Sequence, residues 1–546
     1  MTGSVGPGSS DRLALARRLD WRFLLADPRL GRVALVGRPD PDLRAALEAF
    51  AETMVDDPND RAEVVVVHAP TAAGVRSAIE RVEPGGSIVI ELVGRARRGR
   101  AGQLAAASAG DVAERLRHDG YLDVGESWVW PDHATGLEIV PLDRPALIRL
   151  SLARRRSGRR ARLKARGVRA AMRLGLLPAV LSATTVVGRR PDVNVPESGI
   201  PTAPLIDAYV DANRARLGLE GLGVGGTRSL LVTPRFQASA HVVGLIVPPD
   251  HERPTLVAKV HRLADATGTL DAEAACLRML TEGDPGARNG VPRLIVQAVV
   301  GGHAAIVETA LSGRPLDPVE VRRDRRRAIA EVGAWCRTLQ RTGPTESGDP
   351  AGGPDDRWDR LILPAMAGLE TALADDPTDL GLIGRARDTL APLDSAALLV
   401  AIEHGDLSHP NLLRLDREGG RAGTIGAIDW ELGEPTGYPL TDFLFFLGYV
   451  AVAAGGKRRA SSPDEHARRI GAAFFEGDRW AWVAAEAYAD AAGVDRALVG
   501  SLLVATWVRA LARVGADGHR LRDHRYHAIW RTIVERTGAD GAETPS

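Results

Sequence analysis

Uninterrupted apolar runs separated by helical periods open the chain. Arg32-Val-Ala-Leu-Val36, Glu63-Val-Val-Val-Val67 and Ser87-Ile-Val-Ile-Glu-Leu92 lack the alternation of half-exposed strands, the pattern of strands covered on both faces. Helical periods lie between them, near Leu43–Met54 and Ala72–Val82, and Glu83-Pro-Gly-Gly86 marks a turn. Residues 20–150 therefore predict a small α/β domain with a parallel, Rossmann-like sheet. A second β-rich stretch follows. Ser229–Thr233, His241–Val247 and Thr255–His261 predict antiparallel strands, Leu270–Leu280 a helix and Ala304–Glu308 a further strand. From Asp317 onward the pattern is mostly helical, with loops near Gly343–Asp356 and Gly455–Asp464. A β-rich lobe over 226–312 followed by a helical lobe over 313–540 is an α+β, two-lobed layout.

Residues 151–225 read as a basic linker. Between Arg154 and Arg173 the chain is dense in arginine, with Lys164 the single lysine, and an apolar patch from Leu174 to Leu181 follows. Such a run is a solvated linker or exposed helix face, or else a surface that docks on an anionic membrane or a polyanion. No aromatic residues are interleaved, which argues against single-stranded nucleic acid as a partner. The whole chain, with 70 basic and 70 acidic residues in 546, points to no partner by net charge. Two cysteines, Cys276 and Cys336, exclude a disulfide framework and fit a reducing cytoplasm. No basic region followed by an apolar core opens the sequence, and the run Phe443–Ala454 is too short to span a bilayer.

The residues that carry chemistry lie in Glu403-His-Gly-Asp-Leu-Ser-His-Pro-Asn-Leu-Leu413 and Gly426-Ala-Ile-Asp-Trp-Glu431. Asp406, Asn411 and Asp429 combine two acids and one amide at fixed spacings. Phosphoryl transfer from ATP requires this set: one carboxylate positions the acceptor hydroxyl and takes its proton, while a second carboxylate and a neutral oxygen hold Mg²⁺ against the phosphates. The order of parts is that of the general kinase template.

His404-Gly-Asp-Leu-Ser-His-Pro-Asn411, Ile428-Asp-Trp-Glu431 and Tyr438-Pro-Leu-Thr-Asp-Phe443 resemble the aminoglycoside phosphotransferase and choline kinase superfamily. The resemblance covers Arg228 to Arg536 and implies a two-lobed, protein-kinase-like fold with antiparallel small lobe and helical large lobe. It implies Asp406 as catalytic base, Asn411 and Asp429 as magnesium ligands, His404 as a brace of the loop and Asp442 as structural. ATP and Mg²⁺ are the implied cofactors, and a small-molecule hydroxyl, such as that of a sugar or glycan precursor, the implied acceptor. Leu256-Val-Ala-Lys-Val260 supplies Lys259 for the nucleotide phosphates, since a lysine within an apolar strand is costly unless paired. Glu273 is its preferred partner; Asp271 is the alternative, better suited to the helix start. No glycine-rich motif occupies Pro234-Arg-Phe-Gln-Ala-Ser-Ala240, where Ser239 is the candidate phosphate contact. Main-chain groups from Glu308 to Ala310 resemble the family's adenine-binding hinge. The competing reading is a catalytically silent kinase-fold scaffold.

The N-terminal stretch, with its Pro-Gly-Gly turn before a strand and Asp119-Gly-Tyr-Leu-Asp-Val124, resembles a class I methyltransferase. Gly37-Arg-Pro-Asp-Pro41 stands where that family has a glycine-rich acidic loop. The resemblance thus implies a trimmed domain that has lost S-adenosylmethionine binding and serves a structural or partner-binding role.

Overall fold

In the computed structural model of the chain, residues 9–37, 40–93, 108–154, 159–174, 177, 181, 183–192, 204–221, 226–233, 240–264, 266, 268–282, 290–340, 356–416, 424–456, 462–516 and 520–540 are described. They form two compact units, one of Gly8–Thr267 with Ile295–Ala310, the other of Gly268–Leu294 with Leu311–Ser546.

The first unit is built on one sheet of twelve strands. In chain order these are β1 (Leu30–Gly37), β2 (Ala51–Met54), β3 (Ala62–His68), β4 (Val82–Val93), β5 (Leu122–Trp130), β6 (Glu138–Pro141), β7 (Ala183–Arg189), β8 (Arg228–Val232), β9 (His241–Val247), β10 (Leu256–His261), β11 (Leu294–Val300) and β12 (His303–Thr309). Their spatial order is β11-β12-β10-β9-β8-β6-β5-β7-β4-β3-β1-β2. The part β2-β1-β3-β4 has the parallel pairing that the uninterrupted Val/Ile runs predict. Four readings change. The period expected to run helical from Leu43 to Met54 divides into a helix, Pro41–Phe50, and β2, because Ala51, Thr53 and Met54 pair with β1. The Glu83–Gly86 turn is absorbed into β4 as an irregularity in its pairing with β3, where Gly85 takes φ +81°. A fifth strand of the second β-rich stretch, β11, lies at the sheet edge, where its half-exposed pattern gave no continuous apolar run. Ala183–Arg189, expected inside the basic linker, is the buried strand β7, paired antiparallel to both β4 and β5.

The two β-rich stretches meet at β6 and β8, which pair antiparallel through Glu138↔Val232 and Ile139↔Leu231. Each strand covers what would otherwise be the other's open edge. One apolar cluster runs beneath both stretches, from Leu19, Phe23, Val33 and Val66 to Val242, Ala258, Val260 and Val307. At roughly 1.5–3 kcal/mol for each fully buried large aliphatic side chain, this shared core binds the N-terminal strands to the later ones.

Buried ions lie within this unit. Arg262, fully buried just after β10, donates from Nε and Nη2 to the Asp20 carboxylate, both at 2.9 Å. Arg22 is also buried, its guanidinium donating to the Arg262 carbonyl and to the Ala16 carbonyl; burial brings its pKa down to about 10. At the carboxyl ends of the parallel strands, Arg18 grips fully buried Glu91 with two bonds of 2.7 Å, and His68 Nδ1 meets the same carboxylate at 2.7 Å. Burial alone would raise the Glu91 pKa, but His133, Arg18 and His68 together hold it well below the carboxylate range.

Asp207, on the helix Leu205–Ala212, is buried and accepts from Ser229 Oγ at 2.6 Å. Burial pushes its pKa up to about 7, from 3.8. A carboxyl that binds protons more tightly when folded adds stability at low pH, and that stability is lost as pH rises from about 4 through about 7. Asp207→Asn is therefore expected to match the native protein at pH 4 and to exceed it at pH 8 by at most about 4 kcal/mol. Thermal unfolding across that pH range checks it, and superimposable profiles would refute the assignment.

The second unit is mainly helical. Thr441–Ala454 is apolar on nearly every side and sits in the core with Val499–Ala516, as a helix without a polar stripe must. The window Arg496–Gly515 is long and apolar enough to cross a membrane by composition, and 72% of it is buried inside the protein. The helix Gly268–Glu282, predicted within the β-rich lobe, belongs to this unit. Its small strands are β13 (Gly313–Pro315), β14 (Ala401–Glu403), β15 (Leu412–Leu415), β16 (Ile425–Ala427) and β17 (Glu434–Gly437). The chain passes between units at Thr267, Leu294 and Ala310, so the hinge-like segment Glu308–Ala310 ends where one unit does.

Candidate active site

Both acidic motifs leave short strands. The Asp406 loop joins β14 to β15, and Asp429 follows β16, the antiparallel partner of β15. The backbone of Ile428 ties them together: its N–H donates to the Asn411 carbonyl at 3.0 Å, and its carbonyl meets His404 Nε2 at 3.0 Å. The structure thus gathers Asp406, Asn411 and Asp429 into one constellation.

Asp406 is held on both oxygens. Ser408 Oγ donates to Oδ1 and Asn411 Nδ2 to Oδ2, each at 3.0 Å. Asn411 Nδ2 also reaches the Asp406 carbonyl at 3.1 Å. With its amide nitrogen committed in this way, Asn411 keeps its Oδ1 as the atom able to ligate a cation. Asp429 takes φ +73°, a left-handed conformation uncommon for a residue with a side chain and one that clusters at functional sites. One carboxylate and one amide oxygen form a hard donor set of the kind magnesium accepts while keeping several waters.

The loop is braced from behind. Asp442 accepts from the backbone N–H of His404 at 2.6 Å and of Gly405 at 2.9 Å, a structural part like the one the resemblance implied. Burial raises its pKa, against the opposing pull of His404 and these two bonds. Fully buried His404 packs on Trp430, ring centroids 4.7 Å apart. Arg513 Nη1 donates to the Gly405 carbonyl at 2.6 Å, and Arg509 Nη1 to both oxygens of Glu403 at 2.7 and 2.9 Å. Ser408, Arg509 and Arg513 escaped the sequence reading. Ser408 stands two residues after an aspartate, a common turn spacing that could have marked it. The arginines lie over a hundred residues away and gave no local signal.

Gly405 takes φ +81°, and a Cβ there would lie 2.3 Å from the Leu432 carbonyl oxygen. Gly405→Ala is expected to destabilise by more than about 1 kcal/mol and to depress turnover by displacing Asp406. Parallel melting and activity measurements check this; an alanine variant of native stability and rate would show the loop to be tolerant.

Glu273 is fully buried and accepts the Trp430 N–H at 3.0 Å, which ties its helix to the turn that carries Asp429. Sequence reading gave it Lys259 as partner and did not foresee this backbone bond. Lys259 is buried in β10, opposite Val243 on one side and Ile306 on the other. Glu308 is buried in β12 opposite Val257. The Ala310 N–H, offered as a nucleotide contact, is already bonded to the Thr255 carbonyl at 2.9 Å as the strand pairing continues, so that donor is spent. Ser239 lies outside the described residues. Trp507, considered for the acceptor pocket, is buried in the core, and Glu486 accepts from Trp482 Nε1 at 2.9 Å.

A loop with a doubly held aspartate and an asparagine, beside a second aspartate on a left-handed turn, holds the kinds of group that a kinase-like phosphotransferase site requires. Residues 247–488 match the model of the phosphotransferase enzyme family, a span that includes Lys259, Glu273, Asp406, Asn411, Asp429 and Asp442. Solved structures similar to the chain include choline kinase from Cryptosporidium parvum, at 10% identity, covering 62% of this chain and 95% of that one with a TM-score of 0.39. Another is an aminoglycoside phosphotransferase from Streptomyces rimosus, at 18% identity, covering 55% and 98%, with a TM-score of 0.33. No curated protein matches the chain.

Proposed function

We propose that this protein transfers the γ-phosphate of ATP to a hydroxyl group of a small molecule. The observation that carries the reading is the state of Asp406: its carboxylate is fixed by Ser408 and Asn411, as a base that orients an acceptor hydroxyl must be. The hydroxyl attacks the γ-phosphorus, the bond from that phosphorus to the β–γ bridging oxygen breaks, and Asp406 receives the hydroxyl proton. ADP leaves with the bridging oxygen. Magnesium, when bound through Asn411 Oδ1 and Asp429, would neutralise phosphate charge. Lys259 is assigned to the nucleotide phosphates, and Glu273 fixes the Asp429 turn through the Trp430 N–H.

The test is a panel of hydroxylated metabolites incubated with ATP and Mg²⁺ and read by mass spectrometry for phosphorylated product. A mass increase of one phosphoryl group, absent with Asp406→Ala, supports the reading. ATP binding without turnover on any hydroxyl compound would favour the silent scaffold. A cytoplasmic setting suits such a kinase, since ATP is its phosphoryl donor.

The N-terminal strands are, in the same proposal, a trimmed methyltransferase-like sheet used as scaffold. Support comes from the order β2-β1-β3-β4-β7-β5, with β7 antiparallel inside it. Ligands of open α/β sheets bind beyond the carboxyl ends of the strands. Here Arg18 and His68 both bond to Glu91 at those ends. Calorimetry with S-adenosylmethionine is expected to show no heat of binding.

A further inference from the structure

The helix Arg159–Arg173 has no part in the proposed chemistry, yet it concentrates charge in a chain that is neutral overall. Ten basic residues fall between Arg154 and Arg173, and no acidic residue occurs from Arg144 to Pro191. The spacing of Arg166, Arg169 and Arg173, three and then four, at 3.6 residues per turn places them along one face. The opposite face is anchored. Val168 and Met172 pack on a cluster formed by Trp128, Leu147, Ile148, Leu152 and Leu177. Arg166 and Arg173 are exposed, and Leu174, at the end of the arginine row, is 71% exposed.

We infer that this face docks on an anionic lipid bilayer. Arginine heads meet lipid phosphates with paired N–H donors, and their aliphatic stems suit the headgroup boundary. An exposed leucine beside the row adds apolar contact, which a membrane rewards and a nucleic acid does not. No aromatic ring lies in the segment to stack on bases. Docking would hold the enzyme at a bilayer surface without a membrane span.

The test uses the full chain in flotation with two kinds of vesicle, phosphatidylcholine alone and phosphatidylcholine mixed with phosphatidylglycerol. Binding is expected to the anionic vesicles only and to weaken as salt is raised. Arg166→Gln with Arg173→Gln, both at exposed positions, should lower it about thirtyfold, each surface arginine being worth roughly a factor of five. Lysine at both positions should retain most of it, and Leu174→Gln should weaken it at unchanged charge. Melting temperature and any ATP turnover should be the same in all variants. Failure of the native chain to bind anionic vesicles, or equal binding by the glutamine variant, overturns the inference. Heparin or RNA binding without vesicle binding would overturn it in favour of a polyanion partner. Because the readout is flotation, it stands or falls separately from the phosphotransferase reading.

Discussion

Asp406→Ala is expected to lower phosphoryl transfer by about 10²–10⁴-fold, the span usually lost with a positioned general base. The protein should remain folded, because Asp406 is only partly buried and the loop keeps its other anchors: Asp442 on the His404 and Gly405 N–H groups, Arg513 on the Gly405 carbonyl and His404 on Ile428. Asn411 Nδ2 would still reach the carbonyl of residue 406, so metal and nucleotide binding should survive. The informative pattern is therefore a collapse of turnover at nearly native ATP affinity. Asp406→Asn sharpens it, since asparagine keeps the shape but cannot take up a proton in the same way. Turnover within tenfold of native in both variants would remove Asp406 from the chemistry. Loss of nucleotide binding together with turnover would instead indicate collapse of the loop, which circular dichroism and melting would reveal.

The second large effect concerns stability. Asp20→Asn is expected to destabilise the protein by about 3–5 kcal/mol, the usual consequence of removing one partner from a buried ion pair. Asp20 is the carboxylate that Arg262 grips with two bonds, and Arg22 lies against the Arg262 carbonyl. Without Asp20, two guanidinium groups would share a buried site with no counter-charge from that residue. Trp21 is buried in the same turn, so its fluorescence gives a local probe of denaturant unfolding. A change below about 1 kcal/mol, typical of exposed pairs, would mean that water reaches the site. Arg262 directly follows the strand that carries Lys259 and stands three residues after that lysine, so some loss of ATP affinity should accompany the loss of stability.

The two kinds of prediction differ in how visible they were beforehand. The grouping of Asp406, Asn411 and Asp429 was legible because a short loop and a hairpin turn are local structures, and their spacing is written along the chain. Lys259 was legible because a charged residue in an apolar strand is conspicuous. The Asp20–Arg262 pair spans 242 positions and the Glu273–Trp430 bond 157, and neither leaves a local trace. The division into domains was the least legible part. An arginine-rich approach made 151–225 resemble a linker, yet Ala183–Arg189 within it is a strand with a neighbour on each side.

By itself the sequence determined which residues carry charge, hard oxygen donors and strand-forming bulk, and hence the kinase-like motifs and most of the strands and helices. These follow from side-chain chemistry and from the periods of two and 3.6, which act over a few residues. Only the tertiary structure decided that β6 pairs with β8, so that N-terminal strands and later ones share a single sheet and core. It also decided that a distant arginine holds the Asp406 loop and that Glu273 binds the turn beside Asp429. The physical reason is that edge pairing, shared apolar burial and buried ion pairs select their partners by proximity in the folded chain. Many sequences of similar local pattern could make those contacts, and packing alone singles out the ones that form.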